Sequence, residues 1–148
     1  MRRRQTIPRQ WIVVAEPSTA ACAARLPRGS GVLLIASLSA KQMLRLRVDA
    51  RRRGLTVVVE GSGRAERVHN PRELRRALLA RTPLILLSPL YPTRSHPDWS
   101  PVPRMRAAAL TRLGGRKLLA LGGMDARKFD RIRRLGFQGW AGISAFRT

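Results

Sequence analysis

Short, unbroken apolar runs recur along this chain, and each ends in glycine, hydroxyl or imidazole chemistry. Leu84-Ile85-Leu86-Leu87 runs into Ser88-Pro89-Leu90-Tyr91-Pro92-Thr93-Arg94-Ser95-His96-Pro97. Leu118-Leu119-Ala120-Leu121 runs into Gly122-Gly123-Met124-Asp125, and Gly139-Trp140-Ala141-Gly142-Ile143 runs into Ser144. A run with no polar alternate has no solvated face. Each therefore predicts a strand covered on both sides, as in a parallel sheet flanked by helices. Folds of that kind place their sites beyond the C-terminal ends of the strands.

The segments between the runs have helical signals. Ser39 and Gln42 form a capping-box pair before a helix to Arg53, and Gly54 stands where a left-handed C-terminal residue is needed. Met43, Leu44, Leu46 and Val48 supply that helix with an imperfect apolar stripe. Asn70, Pro71 and Glu73 read as cap, first residue and third residue of another helix, with Leu74, Ala77 and Leu78 inward. Ser18 to Arg25 is a short Ala-rich helix closed by Pro27, and Pro103 to Leu113 is a helix ended by Gly114-Gly115. Asp125 caps a helix that carries Phe129, Ile132 and Leu135 on one face. Strands are expected at 11–15, 32–35, 55–59, 84–88, 117–121 and 139–143, with a doubtful one at Arg67-Val68-His69. Strand–helix alternation implies parallel neighbours joined by right-handed crossovers, closed as a barrel or left as an open doubly wound sheet.

The chain has 148 residues, of which 44% are hydrophobic, enough for one folded domain with a core of its own. The single Cys22 has no intramolecular partner and reads as an inert helical thiol, and no Cys/His cluster has zinc spacing. No apolar run approaches the ~18 residues of a membrane span. The apolar run after Met1-Arg2-Arg3-Arg4 is too short for a secretory leader, so a cytoplasmic location is expected. Net charge is +22, from 30 basic and 8 acidic residues; Lys41, Lys117 and Lys128 are the only lysines. The arginines are spread over polar helix positions and are not interleaved with aromatics, which are only 5% of the chain. A solvated face with nonspecific polyanion affinity as a by-product is therefore preferred to a dedicated nucleic-acid surface.

The order and spacing of Leu87 to Pro97, Ala120 to Asp125 and Gly136 to Ile143 resemble the thiamine phosphate synthase/TenI superfamily. The resemblance is specific from about Gly54 to Ser144 and weaker before it. It implies an α/β fold of the (β/α) TIM-type barrel kind, here truncated or distorted and lacking about one strand–helix unit. It implies a single domain over 1–148 that binds a phosphorylated thiazole or pyrimidine. Phosphate would be held by bare backbone N–H groups at Gly122, Gly123, Gly142, Ile143 and Ser144. Ser88, Thr93, Arg94, Ser95 and His96 would line the rest of the site. Ser88 reads as a wall, since no base stands at a recognisable spacing. His69 matches the strand-end position of a catalytic histidine in the tautomerase branch. Imidazole suits proton transfer at a carbon beside the thiazole; the other reading of His69 is a capping or surface residue before Asn70.

The departures from the family pattern bear on the reaction. Between Val59 and Val68 the family carries an Asn-Asp-Arg-like segment and an Asp-Gly-Val-His-Leu-like strand, whose aspartates hold Mg²⁺. Here the segment is Glu60-Gly61-Ser62-Gly63-Arg64-Ala65-Glu66-Arg67. Mg²⁺ is the implied cofactor only if synthase chemistry is retained. Otherwise the chain is a metal-free isomerase of the tautomerase kind, or a phosphate-ligand binder or regulator without metal chemistry. A barrel short of one unit also leaves strand edges to cover, and a homodimer is one way to cover them. Trp11 and Trp140 are expected in the core, and Trp99, among three prolines, across a strand-end opening.

Overall fold

The computed structural model describes residues 7–94, 96–143, 145 and 146. Seven strands run β1 Gln10–Val14, β2 Gly31–Leu34, β3 Thr56–Val59, β4 Ala65–Val68, β5 Leu84–Leu87, β6 Leu118–Ala120 and β7 Gly139–Gly142. All are parallel, in the order β3-β2-β1-β7-β6-β5-β4. That order is cyclic, with β3 and β4 at its two ends, so the strands form a nearly closed TIM-type barrel with one open seam. Paired residues lead from Val68 through Leu87, Ala120 and Trp140 to Gln10. The adjoining row runs from Trp11 through Gly31 to Thr56. A row entered at the last residue of β4 thus leaves beside the first residue of β3. This is the stagger that closing a tilted sheet requires.

Helices α1 Ala40–Arg53, α2 Pro71–Leu79, α3 Arg104–Gly114 and α4 Ala126–Ile132 form the outer layer. No helix lies between β3 and β4, which are joined by residues 60–64 alone. The doubtful strand is real, but it starts two residues earlier than the sequence suggests. Its two central residues, Glu66 and Arg67, are charged, which hides it from a pattern built on buried apolar runs.

Caps behave as their chemistry dictates. Ser39 and Gln42 bond reciprocally, and Gly54 ends α1 at φ 62°. Asn70 accepts from the Glu73 amide at 2.9 Å. On α1 the expected stripe holds only in part: Leu46 is buried and Met43 half-buried, but Leu44 is 64% exposed. The packed face is centred one position away, with Asp49 under it. The Ala-rich segment Pro17–Arg25 is a 3₁₀ helix. Its buried residues are Thr19, Ala20 and Ala23, and Leu26 at its C-cap is buried too; Ala20, Ala23 and Leu26 keep the spacing of three that a helix of three residues per turn gives.

Strand alternation divides the core into an interior and two outer clusters. Trp11, Val13, Leu33, Leu86, Leu119 and Ala141 fill the barrel. Ile12, Val14, Val32 and Leu34 pack outward under the 3₁₀ segment and α1. Val68, Ile85, Leu87, Leu118 and Ala120 pack outward under α2, α3 and α4. Trp11 and Trp140 are 2% and 5% exposed, as their strand positions predict. Among the described residues no helix is long and apolar enough to cross a membrane.

Candidate functional site

Alternation along β4 carries Ala65 into the barrel interior and Val68 to the outside. Arg67 and His69 therefore point to the inner side, toward the C-terminal mouth. His69 is fixed at both backbone and ring. Its amide donates to Glu73 Oε2 at 2.8 Å, and Glu73 Oε1 accepts from Asn70 Nδ2 at 3.2 Å. The cap of α2 thus holds the residue just after β4. The ring Nδ1 lies 2.8 Å from the Ser88 carbonyl oxygen and 3.3 Å from Ser88 Oγ. A carbonyl oxygen only accepts, so the neutral ring carries its proton on Nδ1. Nε2 is left with a free lone pair.

The long connection from β5 to α3 folds back over this ring. Trp99, 43% exposed, sets its indole against His69 at 5.1 Å between centroids and 78° between planes. His96 stacks on the same indole at 4.1 Å and 10°. With Glu60 and Arg67 these rings line an open cleft of about 390 Å³. Glu60 and Arg67 reach across the seam between β3 and β4, with Nε to Oε1 at 2.6 Å and Nη2 to Oε2 at 3.4 Å. Both side chains are partly exposed, Arg67 36% and Glu60 22%.

The expected phosphate residues form a second group. Gly122 and Gly123 follow β6 at φ 99° and 58° and lie beneath the loop after β5. Leu90 donates to the Leu121 carbonyl and Tyr91 to that of Gly122. A Cβ on Gly123 would stand 2.5 Å from the Pro92 carbonyl oxygen. Its own carbonyl accepts from Lys128 Nζ at 2.9 Å. Gly142 ends β7 against the Met124 backbone, and Ile143 packs on the interior cluster. Asp125 caps α4 by accepting from the Lys128 amide at 2.8 Å. Its carboxylate already places negative charge where an anion would otherwise find the helix N-terminus. Thr93 is half-buried, whereas Arg94 and His96 are exposed. Ser95 and Ser144 lie outside the described residues.

The fold therefore brings His69 and His96 together around Trp99, with Ser88 behind the His69 ring, and gathers Gly122, Gly123 and Gly142 at the neighbouring strand ends. The stretch 88–92 links the two groups: its start holds His69 and its end covers Gly123. The Glu60–Arg67 pair was not legible in the sequence as a pair. Glu60 follows β3 directly and Arg67 lies on β4, and the turn between the two strands brings them into contact across the seam.

The carboxylates do not fit Mg²⁺. Both Glu60 oxygens face the Arg67 guanidinium. Glu66 also lines the cleft but adds only one further carboxylate. Among the described residues no three His, Cys, Asp or Glu side chains gather as a metal would need.

No protein-family model and no curated protein matches the sequence. Among solved structures, the fold is similar to that of thiamine phosphate pyrophosphorylase from Pyrococcus furiosus. The TM-score is 0.69 at 12% identity, over 97% of this chain and 89% of that one. At that identity the likeness is one of fold, a TIM-type barrel, and does not by itself carry a function.

Proposed function

We propose that this chain is a thiamine phosphate synthase/TenI-like protein that binds a phosphorylated thiazole or pyrimidine at the C-terminal mouth of the barrel. His69 acts there as the base of a metal-independent proton transfer. The observation that carries the reading is the fixed His69 ring, with Nδ1 held by the Ser88 carbonyl and Nε2 left for a ligand in the cleft. Nε2 takes a proton from a carbon beside the heterocycle and returns it to a neighbouring atom of the same ring system. The Ser88 carbonyl stabilises the imidazolium between the two steps. Trp99 offers an aromatic face for a planar ring. Thr93 and Arg94, with the backbone amides near Gly123 and Gly142, are the proposed phosphate contacts.

A second reading, a binder without catalysis, is favoured by the commitment of Glu60 to Arg67, which removes one of the two glutamates lining the cleft from metal chemistry. One experiment separates the two. The protein is screened by thermal shift against thiazole phosphate, pyrimidine diphosphate and pyrophosphate, each with and without Mg²⁺. A binding thiazole phosphate is then incubated with the protein in D₂O and its carbon-bound protons are followed by NMR. The proposal expects metal-independent exchange that is lost in His69→Gln while binding persists. Binding without exchange selects the second reading, and no binding refutes both.

A further inference from the structure

The outer layer has no helix over the seam, and what the seam leaves open is not neutral. Val59, at the end of β3, is 45% exposed. It shares the outward parity of Leu55 and Val57, which pack on the outer cluster. On the other side α2 packs against β4 and α3 and borders an open groove of about 750 Å³. Arg72, Arg75, Arg76 and Leu79 line that groove. Their spacing of i, i+3, i+4 and i+7 puts them on one face of the helix, the spacing with which one helix packs on another.

The three guanidinium groups have no ion pair or hydrogen bond among the described residues. The nearest acid in sequence, Glu73, is committed to the His69 amide and the Asn70 side chain. Leu79, at the end of the stripe, is 86% exposed. A basic stripe with an apolar end asks for an occupant with the opposite pattern.

We propose that this groove docks an acidic amphipathic helix of a partner protein, with carboxylates against Arg72, Arg75 and Arg76 and an aliphatic residue against Leu79. Charge complementarity selects that occupant. A second copy of this chain is a poor one, since each copy carries +22 and only eight acidic residues. Nucleic acid would satisfy the arginines but offers nothing to Leu79, and the stripe holds no aromatic on which a base would stack. The site lies on the outer face, apart from the cleft at His69, and does not rest on the proposed reaction.

The test uses fluorescence anisotropy at 150 mM salt with a labelled amphipathic peptide whose Glu and Leu residues repeat at i, i+3, i+4 and i+7. A Glu/Ala peptide of equal charge and a single-stranded DNA serve as competing probes. Two triple variants with the same change in net charge are compared: R72E/R75E/R76E on α2 and R47E/R51E/R52E on the exposed face of α1. The proposal expects at least a tenfold loss of Glu/Leu peptide binding in the α2 variant and under threefold in the α1 variant. Leu79→Ser should weaken the Glu/Leu peptide severalfold and leave the Glu/Ala peptide and the DNA unchanged. All substituted side chains are exposed, and unchanged circular dichroism and melting confirm that the variants fold. Equal losses in the two triples would overturn the proposal in favour of bulk charge. DNA binding that is tighter than peptide binding and lost in the α2 variant alone would assign the groove to nucleic acid. No peptide binding by the parent protein would remove it altogether.

Discussion

Substituting Gly31 by alanine forces one methyl group into a very close contact inside the barrel. Gly31 opens β2 and is the strand partner of Trp11 on β1. A Cβ there would lie 2.1 Å from Trp11 Cδ2 and 2.4 Å from Cε2. Carbon atoms pack at ~3.5 Å or more, so the indole must retreat by ~1.4 Å. It has little room to do so, being 2% exposed with Nε1 donating to the Pro8 carbonyl at 2.8 Å. Loss of that hydrogen bond costs about 1 kcal/mol, and forced repacking of a dense core about 1–3 kcal/mol. The expected destabilisation of Gly31→Ala is therefore about 2–4 kcal/mol, a fall in Tm of roughly 5–15 °C for a chain of this size. Urea denaturation of the parent, Gly31→Ala, Trp11→Leu and the double variant closes a cycle. Leucine vacates the space that the new methyl needs, so the double variant should cost at least ~1 kcal/mol less than the sum of the singles. A Gly31→Ala cost under ~0.5 kcal/mol, or strict additivity, would refute the claim that the indole plugs the barrel over this glycine.

Asn70→Ala removes the cap of α2 and should cost about 1 kcal/mol by chemical denaturation. It also removes a side chain that helps to hold Glu73, so the amide of His69 should exchange with solvent faster than in the parent. Glu60→Gln breaks a partly exposed ion pair and should cost about 1 kcal/mol, less than a fully buried pair because solvent screens both groups. Because Glu60 is not free to hold a metal, thiamine phosphate formation from its two precursors should be negligible at saturating Mg²⁺ in both parent and Glu60→Gln. Robust synthesis that vanishes in Glu60→Gln would show that the carboxylate leaves Arg67 to bind the ion.

Most of the fold is visible in the sequence because its signals are local. The apolar runs at Trp11, Val32, Leu84 and Leu118 are strands because a parallel sheet buries both of their faces. The caps at Ser39, Asn70 and Asp125 form with the expected amides because each needs only four consecutive residues. What escapes a sequence reading depends on register. Gly31 reads as the end of a turn, yet its lack of a side chain serves an indole twenty residues away. β4 has a neighbouring strand on one side only, and at its seam edge Glu66 and Arg67 stay half-buried, so the strand lacks the apolar run that marks the others. In the site, the strand-end position of His69 is readable, whereas its tautomer is set by a carbonyl nineteen residues downstream. The glycines of the Gly122-Gly123 turn fit the loop over them closely. Gly123→Val would disturb Pro92 and Tyr91 as well as any phosphate, so it does not isolate binding.

The three tryptophans supply the most direct test of the site. Trp11 and Trp140 are buried at 2% and 5% exposure, and Trp99 stands in the cleft beside His69 and His96. Their indole N–H resonances in a ¹⁵N-labelled sample, assigned by single Trp→Phe variants, are titrated with thiazole phosphate. The account predicts a saturable shift of the Trp99 resonance, with those of Trp11 and Trp140 in place, and loss of that shift in a His69→Ala/His96→Ala variant that still folds and keeps the Trp99 reporter. A ligand that raises the melting temperature yet leaves the Trp99 resonance unmoved would place the binding site elsewhere and contradict the account.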